Sequence, residues 1–108
     1  MTLLQERDRA RQQRRLVVLA ETRRRLKAAL ANLVPGQKVI VFGSLTKPGV
    51  FNDCSDIDLA LESEPARMTA GQLGAMLSEE LQLPVDIVLL SQCRFREKIA
   101  REGEIWIG

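Results

Sequence analysis

Leucine recurs at helical intervals through the first third of the chain. Leu16, Leu19, Leu26, Leu30 and Leu33 are separated by intervals of three, seven, four and three, which places them on one stripe of a helix. Nothing from about Leu3 to Leu33 breaks that helix, and Pro35-Gly36 ends it. Its first part, ERDRARQQRR, has no apolar stripe and is expected to fray or protrude, over about residues 1–14. KVIVFG, residues 38–43, is a β-branched run closed by glycine, the pattern of a buried strand. SDIDLALE alternates, with Ile57, Leu59 and Leu61 on one face and Asp56, Asp58, Ala60 and Glu62 on the other. Thr69 reads as the N-cap of a helix whose apolar positions are Leu73, Met76, Leu77 and Leu81. PVDIVLL is a third strand, with Pro84 at its first residue, where proline is tolerated. Ser91 opens a last helix that runs to about Glu102 and stops at Gly103, and EIWI either forms a short final strand or packs Trp106 on the core. This order predicts one α/β domain over residues 1–108: a mixed sheet of three to four strands with helices packed on one face.

Composition narrows the class. With 108 residues, 45% hydrophobic and 28% charged, the chain suits a single soluble domain with one core. No apolar stretch approaches a membrane span, and the arginine-bearing start is not followed by the apolar segment of a signal peptide. The two cysteines, Cys54 and Cys93, have no close spacing, and there is no histidine. A Cys/His zinc site, a Ser-His-Asp triad and a histidine phospho-relay are thereby excluded, and unpaired thiols point to a reducing cytosol. An enzyme built on this chain works with carboxylates, hydroxyls and basic side chains, aided by a metal. Charge is also uneven: residues 1–33 hold nine Lys/Arg against three Asp/Glu, or +6, and the remainder seven against eleven, or −4.

The acidic half carries the candidate chemistry. Asp56 and Asp58 interrupt an apolar run, although aspartate is depleted from strands. At i and i+2 their carboxylates leave one face of the strand with Cα atoms about 6–7 Å apart. Two such charges repel by a few kcal/mol, roughly, at an effective dielectric near 20. Something positive is expected between them, and oxygen-only donors favour Mg²⁺ or Mn²⁺ over zinc. Asp86 interrupts the third strand in the same way, and a neighbouring strand would bring it beside the pair. Carboxylates bridging two ions about 3.5–4 Å apart form a two-metal phosphoryl-transfer site. Gly43-Ser44 ends the first strand, where glycine lets a ligand approach the backbone and the serine hydroxyl can meet phosphate oxygens. Pro48-Gly49 suits a very short turn, and Lys47 adds a positive charge beside it.

Gly43-Ser44, an eleven-residue spacer, Asp56-Ile57-Asp58 and the later Asp86 resemble the nucleotidyltransferase domain of the DNA polymerase β superfamily. Within it, the chain resembles the minimal nucleotidyltransferases, which are often paired with a HEPN-fold toxin as its antitoxin. The resemblance runs from about residue 15 to EGEIWI. It implies that Gly43 and Ser44 bind the triphosphate of ATP, with Lys47 standing in for a usual arginine, and that Asp56 and Asp58 hold two Mg²⁺ ions. Asp86 would complete one metal site and help activate the attacking hydroxyl. The run Leu45-Thr46-Lys47-Pro48 departs from the GSxARG of many relatives, and the spacer is one residue longer. The implied reaction is transfer of AMP to a hydroxyl of an all-helical HEPN-type partner, typically a tyrosine, which this chain lacks. Two other readings stand beside it: an antitoxin that neutralises its partner by contact alone, and transfer to a small molecule or an RNA end.

Other features read as structural. The Arg14-Arg15 and Arg23-Arg24-Arg25 clusters are a solvated helix face first and a surface for RNA or an acidic partner second. No aromatics interleave with them, so base stacking is not indicated. Cys54 reads as a small buried filler, Asn52-Asp53 as loop chemistry and Trp106 as a core plug.

Overall fold

The computed structural model describes residues 2–47, 50–51 and 55–107. The expected Pro48-Gly49 turn, Asn52-Asp53 loop and Cys54 filler lie outside the described residues. The elements are α1 (Leu3–Leu33), β1 (Lys38–Phe42), a 3-10 turn (Gly43–Thr46), β2 (Ile57–Leu61) and α2 (Ala70–Leu81). β3 (Val85–Leu89), a second 3-10 turn (Leu90–Gln92), α3 (Arg96–Glu102) and β4 (Glu104–Ile107) follow. Thr69 caps α2 as expected, its hydroxyl accepting from the Gln72 N–H while the Gln72 side chain returns to the Thr69 N–H. Thr2 and Gln5 make the same reciprocal box at the start of α1.

The sheet has four strands in the order β3-β2-β1-β4. β1 pairs antiparallel with β2 and β4, and β2 pairs parallel with β3, so the sheet is mixed. Strand alternation gives it two faces. Val39, Val41, Ile57, Leu59 and Leu61 pack with Leu26 and Leu30 of α1 and with Leu73 and Leu77 of α2 in one core. On the opposite face Ile40 and Ala60 meet Leu90 and Ile99 in a smaller cluster. The two long helices thus share one face, and the short α3 adds a partial second layer. Gly103 makes that layer possible: a Cβ there would stand 2.4 Å from Ile40 Cγ2 and 2.7 Å from the Ile99 carbonyl, so only glycine lets α3 turn tightly back onto β1. EIWI does both things expected of it, pairing with β1 while Trp106 packs on the main core.

Three expectations change in the structure. Leu16 lies on the predicted stripe but is 47% exposed. A 31-residue helix is about 46 Å long, whereas five-residue strands reach only about 17 Å, so the first half of α1 extends beyond anything it can pack on. Met76 is exposed, and Ala70 and Gly74 are buried instead. Gly74 faces Val85 and Ile87 of β3, and this contact turns the inner stripe of α2 towards positions 70, 73, 74, 77 and 81. The last helix begins at Arg96 rather than Ser91, because the Cys93 N–H closes back on the Leu90 carbonyl and ends the preceding turn first.

Arg23 departs from the solvated face expected of its cluster. Its Nη1 donates to the Leu45 carbonyl at 3.1 Å and to Glu104 Oε2 at 2.9 Å, and Nη2 donates to Glu104 Oε1 at 2.7 Å. The guanidinium also lies 5.1 Å from the centre of the Trp106 ring. One side chain therefore ties α1 to the 3-10 turn and to β4. Its neighbour Arg24 reaches, among the described residues, Glu21 on the same helix, and Arg25 donates to the Glu80 carbonyl of α2. Arg23→Ala is expected to cost about 2 kcal/mol and Arg24→Ala under about 0.5, as read by urea denaturation. The bidentate hydrogen bond from Arg23 holds the Glu104 carboxyl below its ordinary value of 4.5. A carboxylate depressed in the fold stabilises above its unfolded pKa, and this contribution is lost as pH falls through the folded value. Wild type should therefore lose more stability than Glu104→Gln as the medium is acidified from neutrality through the carboxylate range, read as the difference in Tm at each pH.

Candidate active site

Register brings the aspartates together. Asp58 is the Cα partner of Asp86 across the parallel β2–β3 pair and of Phe42 across the antiparallel β1–β2 pair. Partnered residues share a face, so Asp58 and Asp86 leave the sheet on the side away from α1 and α2, on strands about 4.8 Å apart. Asp56 lies two residues before Asp58, just ahead of β2. Its charge and that of Asp86 both reach Asp58. Burial first, then Asp86, then Asp56, push the Asp58 carboxyl above its ordinary value. Asp58 is half-buried, whereas Asp56 and Asp86 are exposed.

Gly43 explains why Asp58 can stand where it does. Its φ is +76°, and a Cβ there would lie 2.5 Å from Asp58 Oδ2. The glycine thus serves two needs, a left-handed corner at the end of β1 and room for the carboxylate. Behind it the chain makes the 3-10 turn Gly43–Thr46, fastened by Thr46 Oγ1 donating to the Gly43 carbonyl at 2.8 Å. The Ser44 hydroxyl makes a 3.5 Å contact with the Asp56 carbonyl, the outer limit of a hydrogen bond, which leaves it free to serve a ligand. Lys47 follows the turn and is exposed. Leu45 is fully buried and its carbonyl is the one held by Arg23, so the turn is anchored from below while its upper side stays open.

The donor set fits a hard divalent cation. It consists of carboxylate oxygens, and their mutual repulsion is the kind of unfavourable term that a cation offsets. Among the described residues, however, no three His, Cys, Asp or Glu side chains stand close enough as placed to grip an ion. Asp58 and Asp86 share a face, but with Asp56 they are not drawn into a cage. Thr46 and Arg23 support the turn and escaped the reading of the sequence. A threonine three residues after the glycine is a weak local signal, and an arginine within an arginine run gives none.

Comparison with known proteins bears on this geometry. A structure of a protein designated a minimal nucleotidyltransferase superposes with a TM-score of 0.62 at 32% identity, covering 80% of this chain and 93% of that one. The crystal structure of a toxin–antitoxin with AMP-PNP shares the fold, with a TM-score of 0.58 at 24% identity over 77% of this chain and 71% of that one. Among curated proteins none matches. The profile of the nucleotidyltransferase domain matches residues 23–106, a span that takes in the Gly43 turn, all three aspartates and both edges of the sheet. On that match and the 32% identical relative, the chain belongs to the nucleotidyltransferase domain family.

Proposed function

We propose that this chain is a divalent-metal-dependent nucleotidyltransferase that moves AMP from ATP to a hydroxyl of a partner protein, as the antitoxin of a toxin–antitoxin pair. The observation that carries the proposal is the position of Asp58: paired in register with Asp86, two residues from Asp56, and pressed against a glycine that a side chain would displace. A fold does not need this costly arrangement, whereas a site for a cation and a phosphate does. Asp56, Asp58 and Asp86 would hold the metal, Mg²⁺ or Mn²⁺, which when bound offsets phosphate charge and polarises the α-phosphorus. Gly43 and Ser44 would receive the triphosphate, the backbone approaching unhindered and the hydroxyl donating to a phosphate oxygen. Lys47 would balance the remaining negative charge. Asp86, exposed on its strand, is suited to accept the proton of the incoming hydroxyl as it attacks. Bond formation at the α-phosphorus and departure of pyrophosphate then depend mainly on alignment.

The acceptor belongs to the partner. The chain has no tyrosine, and the solved relative described as a toxin–antitoxin with AMP-PNP supports a toxin and an adenine nucleotide as the other two participants; an all-helical HEPN-type toxin suits the reading best. A cytoplasmic setting accords with the free Cys93 thiol, and no described helix is long and apolar enough to cross a membrane. The test incubates the protein, the candidate toxin and Mg²⁺ with ATP labelled at the α-phosphate. Label on the toxin supports transfer; neutralisation without label, unchanged in Asp58→Asn, supports an antitoxin acting by contact alone.

A further inference from the structure

The carboxylates and the Gly43 turn account for the phosphate end of a nucleotide and leave its nucleoside unplaced. Beside them lies an open cleft of about 610 Å³ between the Gly43–Thr46 turn and α3, within the size range of small-ligand sites. Gly43 is the shared wall: it borders the cleft on one side and touches Asp58 on the other. The cleft is apolar and aromatic in part, with Phe42, Phe95 and Ile99 lining it. Phe42 is the register partner of Asp58, so the cleft opens on the same face as the carboxylates. Phe95 is 67% exposed, an aromatic ring held in water and outside both core clusters of the described residues. Two cations, Lys47 and Lys98, and one carboxylate, Glu102, complete the lining. Phe95, Lys98 and Glu102 follow i, i+3, i+7 spacing, which puts them on one side of α3.

Resting on the nucleotidyltransferase reading, we infer that this cleft is the nucleoside subsite, with the base against Phe95 and the phosphates directed past Lys98 and Lys47 to the Gly43 turn. An exposed ring suits a flat base. Two lysines at the rim suit a polyanion passing beside it, and Glu102 offers an acceptor for ribose hydroxyls. Selectivity among nucleotides then resides in α3, and the GS turn and the aspartates supply grip and chemistry without reading the base.

Calorimetric titration of the full chain with ATP and with inorganic tripolyphosphate, both in Mg²⁺, separates the two ends. Phe95→Ala should weaken ATP binding about tenfold and leave tripolyphosphate binding unchanged, and Phe95→Trp should restore ATP binding. Lys98→Ala should weaken both ligands. Because Phe95 is exposed, its truncation spares the core. Equal ATP affinity in wild type and Phe95→Ala would overturn the cleft assignment and leave the phosphate site standing. Failure of wild type to bind either ligand would overturn the nucleotidyltransferase reading, and the cleft assignment with it.

Discussion

Asp58→Asn is expected to abolish nucleotidyl transfer and to make the metal-free protein more stable. The two effects share a cause. Asp58 is half-buried and faces the charges of Asp56 and Asp86, so its carboxyl sits above its ordinary value; the charged form costs the fold something near neutral pH. An amide of the same shape removes that cost. Discounted for solvent screening, the gain is about 0.5–1 kcal/mol, or a Tm increase of a few degrees, roughly. The same change deletes the proposed central metal ligand, for which an activity loss of about a thousandfold or more is expected. Addition of Mg²⁺ or Mn²⁺ is expected to reverse the order of stability, since on this proposal only the wild type gains by binding. Thermal melts with chelator and with metal, run beside label transfer, check all three points. A mutant both less stable without metal and fully active would remove Asp58 from the site.

The second large effect is at Gly43. Gly43→Ala introduces a Cβ 2.5 Å from Asp58 Oδ2 at a φ of +76°. The backbone strain alone is worth about 1 kcal/mol, and relieving the clash must move either the carboxylate or the turn. Either movement displaces a part of the proposed site by a good fraction of an ångström, which can cost about a hundredfold in rate. We expect activity to fall about a hundredfold with stability lowered by about 1–2 kcal/mol, and Gly43→Ala/Asp58→Ala to recover the part of the stability lost to the clash, but neither the part lost to backbone strain nor the activity. Recovery in the double variant isolates the contact between the two residues from the strain of the turn.

Much of this architecture is written locally in the chain. The bounds of α1, the Thr69-Gln72 cap and the three apolar runs are set by neighbours in sequence, and the structure places them where periodicity does. Asp58 and Asp86 are legible for a related reason: a charge inside an apolar strand is conspicuous, and their register pairing sets both on one face, whereas Asp56 lies just ahead of β2, where strand spacing does not fix its face. What is not legible depends on distant partners. Leu16 sits on a sound helical stripe but runs out of sheet to cover. Met76 loses its buried place because Gly74 lets β3 approach an adjacent side of α2. Arg23 is one arginine of three in a row, and only the fold brings Glu104, from 81 residues further on, to it. The face of α3 that holds Phe95 and Lys98 is hidden for another reason. The helix has seven residues and one buried position, Ile99, too few to define a stripe, so sequence cannot say which side looks towards the Gly43 turn.

The claim on which the rest depends is that Asp56, Asp58 and Asp86 act together on a divalent cation beside a nucleotide's phosphates. Mn²⁺ binding followed by electron paramagnetic resonance, with and without ATP, addresses it directly. The account predicts that wild type takes up Mn²⁺, that ATP strengthens the uptake, and that Asp58→Asn or Asp86→Asn removes it. Mn²⁺ uptake that is absent in wild type with ATP, or equal in wild type and both variants, would contradict it.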